Sequence, residues 1–191
     1  LCAVEVIDAS VLEELPDFSR RLRWYLRYKP ELAALVSRWD DPGAGDCRLF
    51  SLLRAHRMKA LVRRMLDETE FLSDFGVRSL SKHHESEPYV LRCNGSEYTV
   101  RYTPGESDSP VFGGNSNWRG PVWFPVNYLL VESLRKFGRF YGNELLVECP
   151  AGSGTKVTLA QAADEIARRL CGIFTKDAGG LRPAMRHAPL L

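Results

Sequence analysis

The strongest constraint in this sequence is a helical stripe past its midpoint. Trp123, Val126, Leu130, Leu134, Phe137 and Tyr141 recur at steps of three and four, while Glu132, Arg135, Lys136 and Arg139 take the opposite face. Residues at that spacing share one side of an α-helix, so the stripe must be buried against other elements. The same period recurs elsewhere. Pro16 suits the first turn of a helix through about Lys29, with Phe18, Leu22, Tyr25 and Leu26 as its apolar side, and Ser10 and Glu13 read as a capping box ahead of it. Pro30 opens a shorter helix with Leu32, Leu35, Val36 and Trp39 on one face. A long helix is expected from about Cys47 to Glu70, and a last one runs through about Phe174 behind the capping pattern of Thr158 and Gln161. Asn94-Gly95, flanked by Tyr89-Val90-Leu91 and Tyr98-Thr99-Val100, predicts a β-hairpin over about 88–103. The fold class is therefore mainly α, as one domain over 1–191, with a hairpin insertion and two long polar loops.

Composition excludes several functions. The formal net charge of the 191 residues is +2, too small to make the whole chain a trap for nucleic acid. The basic stripe Arg54, Arg57, Lys59, Arg63 and Arg64 is followed at once by Asp67, Glu68 and Glu70, so it reads as a solvated or ion-paired helix face. No apolar run approaches the roughly 18 residues of a membrane span. Five scattered cysteines (Cys2, Cys47, Cys93, Cys149 and Cys171) form no CxxC pair, which favours free thiols in a reducing cytoplasm. His83-His84 has no companion at ligand spacing, so no metal site is expected, and nothing calls for a cofactor. The sequence opens at Leu1 without Met or a targeting pattern, and is read as a segment of a longer protein.

The segment leading into the stripe carries the most chemistry. Phe112-Gly113-Gly114-Asn115-Ser116-Asn117-Trp118-Arg119-Gly120-Pro121-Val122-Trp123 combines glycines, which permit close backbone approach, with amides that both donate and accept. Trp118 and Trp123 offer flat apolar faces suited to the C–H face of a pyranose, and Arg119 offers a rigid fork of donors. Asn115, Asn117, Trp118, Arg119, Gly120, Trp123 and Asn127 are the candidate sugar-binding residues of this stretch.

Trp118-Arg119-Gly120-Pro121-Val122-Trp123 followed by Asn127-Tyr128-Leu129 resembles the WRGP-x-W…NYL signature of family 63 glycoside hydrolases. Phe75-Gly76-Val77-Arg78-Ser79-Leu80-Ser81 is similar to the YGLRSLS segment of that family, with Phe for Tyr and Val for Leu, and adds Arg78 to the candidate site. The whole chain reads most like a bacterial branch of this group, which includes processing α-glucosidases and mannosylglycerate hydrolase-like enzymes. The resemblance implies an (α/α)6 toroid whose loops at one end form the sugar pocket. About six helices here would make roughly half of it, so the remainder of the catalytic domain is an expected partner, with self-association where that remainder is missing. It also implies inversion by two carboxyl groups, an Asp upstream of the YGLRSLS-like segment and a Glu downstream of WRGP in a Glu-Tyr-like motif. Nothing in this chain matches those settings. Asp67, Glu68, Glu70, Glu106, Asp108 and Glu132 read as solvated or ion-paired carboxylates, Glu148 beside Cys149 and Pro150 stands in the wrong setting, and no catalytic residue is assigned. The competing reading is a non-enzymatic helical module that binds protein or RNA.

Overall fold

The computed structural model describes residues 1–36, 39–103 and 121–183. Asn115, Asn117, Trp118, Arg119 and Gly120, with Glu106 and Asp108, lie outside the described residues. The elements in chain order are β1 (Val4–Asp8), α1 (Ala9–Glu14), α2 (Pro16–Tyr28), α3 (Pro30–Ala33), β2 (Cys47–Ser51), α4 (Ala55–Met65), β3 (Leu72–Ser73), β4 (Gly76–Val77), β5 (Tyr89–Cys93), β6 (Ser96–Val100), α5 (Phe124–Tyr141), β7 (Leu146–Glu148), β8 (Lys156–Thr158) and α6 (Leu159–Gly172). Among the described residues helices hold most of the regular structure, but four two-stranded sheets make it a mixture of helix and strand, so the mainly α reading holds only in part. The chain divides into two compact units. One comprises 1–62, 129–147 and 156–163; the other comprises 63–128, 148–155 and 164–191.

In the first unit, β1 pairs antiparallel with β2, from Val4 opposite Ser51 to Asp8 opposite Cys47. Val4 and Val6 of one strand and Cys47, Leu49 and Ser51 of the other are buried, an alternation that marks a half-buried sheet. The helix expected over 47–70 is corrected by this pairing. Its first residues obey a period of two and form a strand, and only Ala55–Met65 is helical. Ser10 is likewise not a cap, because it lies inside α1, which follows Asp8 without any side-chain capping bond. Trp39 falls beyond the end of α3 rather than on its face. Salt bridges link β1 to α5: Lys136 Nζ to Glu5 Oε2 at 2.7 Å, and Arg139 to Asp8. The Lys136 hydrogen bond holds the Glu5 carboxyl below its ordinary range. Of the expected α5 stripe, Leu134, Phe137 and Tyr141 are buried and Trp123, Val126 and Leu130 half-buried, while Val131 and Phe140, outside that stripe, are buried as well. The α6 capping box closes as read: Gln161 N–H donates to Thr158 Oγ1 at 3.2 Å, and Thr158 N–H to Gln161 Oε1 at 2.9 Å.

In the second unit, β5 and β6 form the expected hairpin, with Tyr89 opposite Val100 and Cys93 opposite Ser96. Both turn residues take positive φ, 51° at Asn94 and 76° at Gly95, as a two-residue hairpin turn of this chemistry demands. Leu66, Leu72, Val77, Ile166 and Leu170 supply buried apolar surface.

Candidate functional site

The YGLRSLS-like segment begins in a tight hairpin. Ser73 Oγ donates to Gly76 O at 2.7 Å and accepts from Phe75 N–H at 3.2 Å, which shapes the turn between β3 and β4. Gly76 has φ +112°, and a Cβ there would lie 2.7 Å from Leu170 Cδ2 and 3.0 Å from Asn127 Oδ1. Only glycine fits that backbone against those neighbours.

The next residue is held by an amide. Val77 N–H donates to Asn127 Oδ1 at 2.8 Å, and Asn127 Nδ2 donates to Val77 O at 2.9 Å and to Trp123 O at 3.0 Å. Asn127 is 2% exposed, so its side chain works as a strand edge supplied by a helix, satisfying the backbone of a buried residue. Two residues on, Ser79 N–H donates to Pro121 O at 2.8 Å. The YGLRSLS-like segment therefore makes three hydrogen bonds to the second motif, one to Pro121, the last residue of WRGP, and two to Asn127 in the first turn of α5.

Arg78 gathers the surrounding backbone. Its Nε donates to Tyr102 Oη at 3.1 Å, and its Nη1 reaches the carbonyls of Glu68 at 3.1 Å, Glu70 at 3.3 Å and Leu72 at 2.5 Å. The guanidinium also lies 5.8 Å from the centre of the Tyr102 ring. Trp123 is half-buried ahead of α5, and Phe124 packs on Phe174 with ring centres 5.6 Å apart. Phe75, Pro121, Val122, Ile173 and Pro183 line a small apolar cavity of about 240 Å³ beside this junction.

The nearby carboxylates are engaged. Glu68 Oε1 accepts from Arg169 Nη2 at 2.9 Å. Glu70 pairs with Arg64 at 3.0 Å and accepts from Ser81 Oγ at 3.1 Å. Asp67 accepts from the Thr69 hydroxyl at 2.6 Å, which holds its carboxyl below the ordinary range. Arg169, at 9% exposure, also donates to Ser73 O at 3.0 Å and to Glu165 Oε1 at 2.8 Å. Glu165 takes a two-pronged bond from Arg168 as well, and these cations pull its carboxyl down to about 2. Burial, with the carboxylates of Glu165 and Glu68 nearby, pushes the Cys149 thiol up. Among the described residues no group of His, Cys, Asp and Glu is arranged to hold a metal. No helix there is long and apolar enough to cross a membrane.

Of the expected site residues, the structure brings Arg78, Trp123 and Asn127 into one unit. Sequence reasoning did not single out Gly76, Tyr102, Glu165 or Arg169. A glycine between an aromatic and a β-branched residue was the one available signal, while the Arg169 network depends on contacts across the fold.

Residues 47–181 match the model of the mannosylglycerate hydrolase MGH1-like glycoside hydrolase domain, and both motif segments fall inside that match. The chain belongs to this glycoside hydrolase family. An uncharacterized protein of Saccharomyces cerevisiae, YMR196W, is 44% identical over 183 residues. That alignment covers 95% of this chain but 17% of the yeast protein, so the chain spans about a sixth of the length of the curated relative it matches. No solved structure matches it. Both motif segments of this chain thus lie within one matched domain, and they are hydrogen-bonded to each other.

Proposed function

We propose that this chain is part of the catalytic domain of a glycosidase and supplies residues that hold the sugar, within an (α/α)6 toroid of which it forms about half. The observation that carries this reading is the attachment of the YGLRSLS-like segment at two points to the WRGP…NYL segment, through Ser79 with Pro121 and through Val77 with Asn127. Such bonding fixes two loops at one place, which a binding site needs and a generic helical module does not.

The reaction suited to this context is inverting hydrolysis of α-glucosyl or α-mannosyl substrates. One carboxylic acid protonates the leaving oxygen while a carboxylate activates water on the opposite face, with the two groups about 6.5–9.5 Å apart. Glu68 and Glu70 are tied to arginines and Asp67 to Thr69, which supports placing both catalytic carboxyls in other parts of a longer polypeptide. The residues of this chain then bind and orient. Arg119 presents paired donors to hydroxyls, Trp118 and Trp123 present ring faces, Asn115 and Asn117 donate and accept, and Gly120 allows close approach. Asn127 holds the backbone at Val77 and Trp123, and Arg78 holds the carbonyls of Glu68, Glu70 and Leu72. The odd number of widely spaced cysteines favours the cytoplasm.

The test uses the longer polypeptide and the isolated chain side by side, with α-glucosides, α-mannosides and mannosylglycerate. Arg119→Lys in the longer polypeptide lowers turnover at least about tenfold with folding intact, because an ammonium cannot reproduce the planar fork. The isolated chain shows no turnover. Wild-type kinetics for Arg119→Lys would remove that residue from the site. Turnover by the isolated chain that vanishes in Glu68→Gln or Glu106→Gln would place an acid within it. Salt-dependent RNA binding without any glycosidase activity would favour the non-enzymatic reading.

A further inference from the structure

A second cavity, larger than the one beside the motif junction, lies away from both motifs in sequence. It measures about 500 Å³ and is lined by α1, α2 and the segment from Trp39 to Phe50, all within the first unit. That volume falls in the range of about 300–1,000 Å³ usual for small-molecule sites. All of its lining residues except Arg48 and Phe50 precede Cys47, where the family match begins, so the glycoside hydrolase assignment says nothing about it.

Its lining has three parts. Leucines of α1 and α2, among them Leu26 at 6% exposure, form an apolar floor. Trp39 contributes a half-buried indole. Glu13, Arg23, Asp40, Asp46 and Arg48 supply the charges. Arg48 is already bound to Asp46 at 2.8 Å, and Arg23 Nε donates to Ser19 O at 3.2 Å. Glu13 and Asp40 have no ion-pair or hydrogen-bond partner among the described residues. With Arg48 and Asp46 cancelling, two carboxylates stand against one guanidinium, and the cleft is net negative.

We infer that this cleft binds a glycosyl unit that carries no anionic group, stacked on Trp39 and hydrogen-bonded through Glu13, Asp40 and Arg23. Carboxylates accept from adjacent hydroxyls, the free arms of the Arg23 fork donate to ring or hydroxyl oxygens, and the indole covers the C–H face. The negative balance disfavours a carboxylate or phosphate on the ligand. The choice of a sugar as ligand class rests on the glycosidase reading, whereas the position of the cleft does not.

The experiment titrates the 191-residue chain with methyl α-glucoside and methyl α-mannoside by calorimetry, with glucuronate as an anionic comparator. Thermal unfolding verifies that each variant is folded. At least one neutral glycoside binds, and glucuronate binds at least several-fold more weakly. Trp39→Ala weakens binding at least about tenfold and Asp40→Asn at least about threefold, whereas Trp24→Ala, outside the cleft, leaves it unchanged. Should Trp39→Ala unfold, Trp39→Phe and Asp40→Asn carry the test. Absence of binding by both glycosides overturns the inference, as does tighter binding of glucuronate. Binding that Arg119→Lys abolishes and Trp39→Ala spares also overturns it, while upholding the glycosidase reading. A longer polypeptide whose turnover ignores Arg119→Lys counts against that reading alone.

Discussion

The YGLRSLS-like segment and helix α2 are held by opposite means. Around Gly76 and Val77, buried polar atoms fix the backbone: Asn127 takes both Val77 groups, Ser79 is bonded to Pro121, and Arg169 joins Ser73 to Glu68 and Glu165. In α2, Ser19 and Leu26 are buried, while Phe18, Trp24, Tyr25 and Tyr28 stand exposed. Trp24 and Tyr28 meet each other with ring centres 5.4 Å apart, and Arg27 lies 5.9 Å from the Tyr28 ring. Directional bonds between buried groups position a backbone closely and tolerate little change. An amphipathic helix resting on one apolar face tolerates change on the other, and an exposed aromatic face of this size marks a surface suited to association.

That contrast sets the scale of mutational effects. Gly76→Ala should be the most damaging, because it combines a strained positive φ with a Cβ 2.7 Å from Leu170; we expect a loss of about 3 kcal/mol or more in chemical denaturation. Asn127→Ala leaves the N–H and carbonyl of Val77 without partners and should cost about 2–4 kcal/mol by the same measurement. The Glu165 network should appear as pH dependence. Its carboxyl, at about 2 when folded and 4.5 when unperturbed, binds protons more weakly in the native state. The stability it contributes is therefore present above about 4.5 and drains away as pH falls towards 2. Glu165→Gln should flatten the stability profile across that window and leave its shape above it unchanged. Trp24→Ser should have the smallest effect, within about 0.5 kcal/mol, and should reduce self-association in sedimentation. A loss at Trp24 as large as that at Asn127 would erase the distinction between the two regions.

Local signals carried much of this structure. Asn94-Gly95 demanded positive φ at two successive residues and marked its hairpin; Thr158 and Gln161 marked the start of α6; the three- and four-residue steps from Val126 to Tyr141 marked α5. The errors arose where a partner lay far along the chain. Cys47-Arg48-Leu49-Phe50-Ser51 is ambiguous by itself, since leucines at 49 and 53 satisfy a helical count, and only pairing with Val4–Asp8 makes it a strand. Within the site, Arg78 and Asn127 were singled out by motif as sugar-binding residues. Their described bonds are to this chain's own backbone and to Tyr102, a role that sequence cannot distinguish from ligand contact, because an amide or a guanidinium suits either.

The central claim is that the two motif segments are joined through Val77 and Ser79. Native-state amide hydrogen exchange, read residue by residue by NMR, tests it most directly. Both amides should exchange slowly in the wild-type chain. In Asn127→Ala, at a temperature where the protein remains folded, protection at Val77 should fall at least about tenfold while Gln161, in the α6 cap, is unaffected. Rapid exchange at Val77 in the wild type, or protection there that survives Asn127→Ala, would contradict the account.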